Sequence, residues 1–118
     1  MSTSQETTQQ TTLELVRFSV APEREEAFLA ARDAAVRSLR TLPGLLSATL
    51  ARSDDGSWLD VILWRSREEA LAAARALETG AVPAEVMRWA SCIEAVESMT
   101  HARVLHSLVE AGASEVAR

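Results

Sequence analysis

A carboxylate and an imidazole are the best candidates for acid–base chemistry in this 118-residue chain. Asp60 lies in the middle of an apolar run, where an unpaired charge would be costly to bury. It should therefore meet solvent or a basic side chain, and Arg17, Arg103 and His101 are the candidates. Asp60 then either forms a structural ion pair or accepts a proton from a phenolic substrate. In the second case Arg17 and Arg103 could stabilise the oxyanion, although solvated arginines are the alternative.

His101 is the second acid–base candidate, because it shares one face of a predicted strand with Arg103. A hydrogen-bonded structural histidine is the alternative. His106 lies five residues further along the same predicted strand and so points to the opposite face, which removes a two-histidine metal site. We predict Asp60 and His101 as catalytic residues and expect no metal ion.

The three tryptophans are candidates for the wall of a pocket that takes a flat aromatic ligand. Trp64 ends a β-rich run directly before a helix start, a common place for a ligand wall. Trp58 shares its strand face, because strand side chains alternate with period two. Ordinary core packing is the alternative for each of them. The substrate-binding residues predicted from the sequence are Trp64, Arg17, Trp58 and Trp89.

Alternation of side chains predicts four strands, and helical spacing predicts the segments between them. Pro22 opens an acidic first helix, Ser66 and Glu69 form a capping box for a second, and Pro83 restarts a short third helix. Turns are expected at Pro43-Gly44, at 53–57 and at Gly80. The strands predicted in this way span residues 13–20, 45–52, 58–64 and 97–105.

The resulting order, β-α-β-β-α-β with an extra short helix, predicts an α+β fold of the ferredoxin-like type with its helices on one face of the sheet. Apolar side chains occur on both faces of the strands, so a second cover is needed. Pairing two sheets face to face would supply it, which predicts a homodimer. We expect a polar tail at 1–12, one domain at 13–108 and a second tail at 109–118.

Composition excludes several classes of function. The net charge is −5 and all twelve basic residues are arginines without a cluster, so nucleic acid is not an expected partner. The single cysteine allows no intrachain disulfide, and the first residues lack the pattern of a secretory signal, which predicts a cytoplasmic location. No uncharged apolar stretch approaches the roughly 20 residues of a membrane helix, so no membrane contact is expected.

Over roughly residues 13–108 the chain resembles the antibiotic biosynthesis monooxygenase (ABM) family of dimeric α+β barrels. The resemblance rests on Trp64-Arg65-Ser66 at the strand-to-helix junction, on the βαββαβ order and on the Pro43-Gly44 turn. It implies that the face of Trp58, Asp60 and Trp64 looks toward the helices and a ligand cavity. The opposite, aliphatic face would then meet the partner subunit.

The haem-degrading branch of that family uses an Asn on its first strand, the Trp on its third and a His on the following helix. Only Trp64 matches, because the chain contains no Asn and has Ala72-Ala73-Ala74 where the His would stand. These departures argue against haem degradation by that mechanism, and no cofactor is expected.

The resemblance leaves two functional hypotheses from different classes. One is a cofactor-independent monooxygenase that acts on an aromatic or polyketide-type small molecule in a dry pocket. The other is a non-catalytic dimer of the same fold that binds a small molecule or serves as a scaffold, and the missing polar groups favour this alternative.

Overall fold

A computed structural model describes residues 11–108 and consists of one four-stranded antiparallel sheet with its helices. The strands lie in the order β2-β3-β1-β4, and both long connections are helical. This confirms the predicted ferredoxin-like α+β fold. Apart from residues 11 and 12, the predicted tails lie outside the described residues. The elements are β1 (Thr12–Val20), α1 (Glu25–Leu39), β2 (Leu45–Arg52), β3 (Trp58–Trp64), α2 (Arg67–Glu78), α3 (Ala84–Ala90) and β4 (Ile93–Arg103).

The strand boundaries agree with the prediction at β2 and β3, and β1 begins one residue early, at Thr12. The prediction for β4 was wrong at both ends, since the strand spans Ile93–Arg103 and not 97–105. Its first residues pair with the end of β1 across two register shifts. Such irregularities interrupt the period-two pattern, so alternation alone detects only the regular part of the strand. His106 consequently lies beyond the strand.

The helix signals in the sequence act as expected. Pro22 opens a single 3₁₀ turn, Pro22–Arg24, that leads into α1. The Ser66 hydroxyl caps α2 by accepting the Glu69 backbone N–H at 3.2 Å. At the other end of α2, the N–H of Ala81 donates to the Ala76 carbonyl while Gly80 adopts φ +77°, as in a Schellman stop.

The turn before β2 fixes the position of the segment that follows α1 relative to the start of α2. Gly44 is buried with φ +92°, and its carbonyl accepts the Arg65 N–H at 2.7 Å. Two residues later, Leu46 is the extra residue of a β-bulge opposite β3 and is 51% exposed. The bulge shifts the register, so a side-chain alternation counted from Leu46 does not continue into the rest of β2.

One end of the helix-covered sheet face is filled by aromatic rings. Phe28 of α1 lies 5.1 Å from Trp58 and 5.3 Å from Trp89, centroid to centroid, and Phe18 packs edge-on at 5.6 Å from Phe28. All four side chains are at least nine-tenths buried. These contacts form the main core and clamp α1 and α3 onto the sheet.

The opposite face of the sheet, here called the open face, is aliphatic and only partly covered. Its side chains alternate with the buried ones, and Leu15 is 38% exposed. Within residues 11–108, no helix has both the length and the apolar character needed to cross a membrane. The apolar members of the open face on β1 and β3 are Leu13, Leu15, Leu59, Val61 and Leu63.

Candidate functional site

The register of three neighbouring strands brings an acid, an imidazole and an indole together on the helix-covered face. Glu14 of β1 pairs directly with His101 of β4, and Thr12, two residues earlier on the same face of β1, pairs with Trp64 of β3. Directly paired residues in an antiparallel sheet project on the same side, so the three side chains converge. We call Glu14, Trp64 and His101 the sheet site.

Glu14 is the centre of the sheet site. The indole Nε1 of Trp64 donates to Glu14 Oε1 at 2.8 Å, and His101 Nε2 lies 3.3 Å from Glu14 Oε2. The Glu14 side chain is 7% exposed and that of His101 is 13% exposed. A carboxylate at this depth requires polar partners, and the indole and the imidazole supply one to each oxygen.

The imidazole is not fully engaged by this contact. His101 Nε2 is buried, yet the approach to Glu14 lacks hydrogen-bond geometry, and the nitrogen has no hydrogen-bond partner among the described residues. Catalytic hydrogen bonds are commonly long or misaligned before a ligand binds and shorten in the complex. The carboxylate lies where it can orient the ring for a proton transfer.

The sheet site is closed on one side and open on the other. Trp64 is 3% exposed, and its indole is a covered partner of Glu14; its role in substrate binding stays a prediction. On β4, Met99 and Arg103 flank His101 on the same face and are both exposed. A ligand would therefore approach the imidazole along β4.

The predicted partners of Asp60 were wrong, because its carboxylate meets Arg32 of α1. The two guanidinium nitrogens donate to the two carboxylate oxygens at 2.6 and 2.8 Å. Both side chains are largely buried, at 14% and 6% exposure, and Arg32 also lies over the Trp89 ring at 5.1 Å. A carboxylate held in a bidentate ion pair of this kind joins α1 to the sheet and is a weak candidate for a base.

Arg17 lies apart from the other predicted site residues. Its side chain is on the open face, where its guanidinium donates to the Ser57 hydroxyl and lies 3.7 Å from Asp55 in the β2–β3 turn. The strand alternation that buries Asp60 and Trp64 places Arg17 on the other side of the sheet. It therefore cannot contact a substrate bound at the sheet site of the same subunit.

Trp58 and Trp89 belong to the aromatic core and do not join Trp64. Trp58 and Trp64 are six positions apart on β3, which corresponds to about 20 Å along a strand. The indole N–H groups of Trp58 and Trp89 are buried without a hydrogen-bond partner among the described residues. Packing against Phe28 accounts for their positions better than ligand contact does.

A separate shallow groove of about 100 Å³ lies between the segment that follows α1 and the helix α2. Its lining is almost entirely apolar and includes none of the three residues of the sheet site. Nowhere between residues 11 and 108 do three or more His, Cys, Asp or Glu side chains gather in a way that could hold a metal ion. The residues that line the groove are Leu42, Pro43, Glu69, Ala72 and Ala73.

Sequence reasoning missed Glu14 and Arg32, although both carried a signal. Glu14 is two residues before Val16 on the face that the alternation of β1 marks as buried. Arg32 follows Phe28 by four residues and thus lies on the apolar stripe of α1. A charged residue on a buried face is the same signal that identified Asp60.

The sequence profile of the antibiotic biosynthesis monooxygenase family matches residues 12–79, more than half of the chain. This range includes Glu14 and Trp64 and ends before His101. No curated protein matches the sequence significantly.

Solved structures with the same fold are distant in sequence. A Bordetella bronchiseptica protein assigned by name to the antibiotic biosynthesis monooxygenases is 18% identical, with a TM-score of 0.68, over 83% of this chain and 100% of that one. SnoaB, a cofactor-independent oxygenase from Streptomyces nogalater, is 16% identical, with a TM-score of 0.54, over 85% and 96% of the two chains. A Chloroflexus aurantiacus protein assigned like the first is 15% identical, with a TM-score of 0.61, over 84% and 97%. At these identities the likeness establishes a shared fold.

Proposed function

The chain belongs to the antibiotic biosynthesis monooxygenase family, and from that premise we propose that it is a cofactor-independent monooxygenase of an aromatic, polyketide-type small molecule. The observation that carries the proposal is the buried contact of Glu14 with both Trp64 and His101. The fold shared with a cofactor-independent oxygenase supports it.

In this proposal His101 is the base and Glu14 orients it. The imidazole removes a proton from an acidic position of the bound aromatic compound, and the Glu14 carboxylate stabilises the imidazolium that results. Trp64 fixes the carboxylate through its indole N–H, so that the oxygen facing His101 keeps its position. Because Asp60 is paired with Arg32, we assign the role of base to His101 of the sheet site and not to Asp60.

The reaction balances without an external reductant. A dihydroxyanthrone carries a benzylic CH₂ group whose deprotonation gives an electron-rich carbanion, which reduces O₂ directly. One oxygen atom enters the ring as a carbonyl group and the other leaves as water, so that CH₂ and O₂ become C=O and H₂O. The protein needs to supply only orientation, a base and a protected site.

The test measures oxygen uptake with dithranol, a dihydroxyanthrone, and with a panel of quinols. His101→Gln should lower the rate by about 10²–10⁴, the usual contribution of a general base. His106→Gln is the matched control, because that histidine lies outside β4 and is exposed, and its rate should stay unchanged. Oxygen uptake no faster than in buffer with every substrate would refute catalysis and favour the non-catalytic alternative.

We also propose that two copies pair through the open face as a homodimer. The aliphatic side chains of β1 and β3 on that face are half-covered in the single chain, and a facing sheet would bury them. Val61→Glu should dissociate the dimer, whereas Ala34→Glu on the exposed side of α1 should not. Light scattering coupled to size exclusion measures the mass, and a monomeric wild-type protein at micromolar concentration would refute the pairing.

A further inference from the structure

We infer that the substrate of the sheet site carries an acidic group, bound by Arg103, one ring-width from the position that His101 deprotonates. This inference rests on the proposed function and specifies its substrate class. It starts from the face on which Arg103 lies, since Arg103 pairs with Thr12 just as His101 pairs with Glu14. Both basic side chains of β4 therefore project on the helix-covered side.

The distance between the two groups suits one aromatic ring. His101 and Arg103 are two residues apart on β4, which separates their backbone positions by about 6.8 Å. That spacing is close to the width of a substituted benzene ring. A guanidinium also presents a planar fork that matches a carboxylate.

Arg103 is available to a ligand, unlike the other arginines of the strands. Arg17 lies beside Asp55, and Arg52 forms an ion pair with Glu25 at 2.9 Å. Among residues 11–108, Arg103 makes no ion pair or side-chain hydrogen bond, and it is exposed. An exposed cation beside a buried base is an arrangement that favours an anionic partner.

Glu14, the carboxylate of the sheet site, is not an ion-pair partner of Arg103. Each oxygen of Glu14 already has a contact, one with Trp64 and one with His101. The cross-strand partner of Arg103 is Thr12, a neutral and buried residue. The guanidinium of Arg103 is therefore available to an acidic group of a ligand.

The neighbouring surface on the other side of His101 is apolar. Met99 is 45% exposed on the same face, and its partner across the strand is Val16. A thioether makes favourable contacts with aromatic rings, so Met99 offers a platform for the ring system. The sequence of side chains along β4 thus runs from apolar through base to cation, which matches an aromatic acid.

The test compares the binding of anthraquinone carboxylate and its methyl ester by titration calorimetry at low ionic strength. Wild-type protein should bind the carboxylate about two- to fivefold more tightly, as expected for a charge pair at an exposed site. Arg103→Gln should remove that preference, Arg103→Lys should restore part of it, and the matched control Arg40→Gln should preserve it.

Equal affinity of wild-type protein for the two compounds, or a preference that persists in Arg103→Gln, would overturn the inference. Failure to bind the carboxylate at all would overturn it as well. Oxygen uptake with dithranol and with an anthrone carboxylic acid is measured in parallel and separates the two proposals. A preference that depends on Arg103 in a protein without oxygen uptake would uphold acid binding and refute the oxygenase, whereas oxygen uptake without the preference would do the reverse.

Discussion

Asp60→Asn should destabilise the protein strongly while leaving its chemistry intact. The substitution removes the charge that neutralises Arg32, whose side chain is 14% exposed and lies against the Trp89 ring. Breaking a buried pair by removing one partner costs about 3–5 kcal/mol, because the remaining charge is left without compensation. For a domain of this size, about 3 kcal/mol corresponds to a fall in Tm of roughly 12–24 °C.

A matched control comes from the exposed pair of the same helix. Arg37 and Asp33 lie 2.7 Å apart with side-chain exposures of 68% and 76%. Asp33→Asn should therefore cost no more than about 0.5 kcal/mol. The double variant Arg32→Met, Asp60→Leu replaces both charges by apolar side chains and should recover most of the stability that Asp60→Asn loses.

Urea unfolding followed by far-ultraviolet circular dichroism, at one fixed protein concentration, gives the free energies of unfolding. Oxygen uptake is measured at a temperature where each variant is folded and is expressed per folded molecule. The reasoning fails if Asp60→Asn is no less stable than Asp33→Asn. A fully folded Asp60→Asn protein that has lost oxygen uptake would return the role of base to Asp60.

Two further substitutions test the turn before β2 and the capping box of α2. Gly44→Ala should lower the free energy of unfolding more than Gly56→Ala does. Both glycines have φ near +90°, but of the two only Gly44 would place its new Cβ against the Glu69 side chain. Equal losses of unfolding free energy in urea titrations would contradict this account. The Arg65 side-chain hydrogen bond holds the pKa of the Glu69 carboxyl below its ordinary value of 4.5. The stabilisation that the ionised Glu69 gives to the fold is therefore present above about pH 4.5 and is lost as the pH falls through the lowered pKa. Glu69→Gln should therefore cost about 0.3–0.5 kcal/mol at pH 7 and close to nothing near pH 2, and a loss of equal size at both values would show that the charge is not responsible.

Local signals were sufficient to predict most of the fold. The Ser66 cap, the Gly80 stop and the Gly56 turn each act through the backbone within a few residues of themselves, so their effects can be read from sequence. β2 and β3 were placed correctly because a turn joins them directly. An error occurred where pairing with a distant strand decided the outcome, in the bulged half of β4 that pairs with β1.

The candidate site shows the same division between local and distant information. That Asp60 needs a partner follows from its apolar neighbours, but the choice of Arg32 depends on how α1 crosses the sheet, which no local pattern encodes. Glu14 and Asp60 carry the same signal, a carboxylate on a buried strand face. Asp60 is paired with a bidentate guanidinium, whereas Glu14 meets an indole N–H and a misaligned imidazole. A carboxylate that is already saturated by an arginine stabilises the fold, whereas one that leaves a buried imidazole nitrogen without a hydrogen bond retains the capacity to assist a proton transfer. The difference between the structural carboxylate of Asp60 and the orienting carboxylate that we propose for Glu14 therefore lies in the partner that the tertiary fold provides.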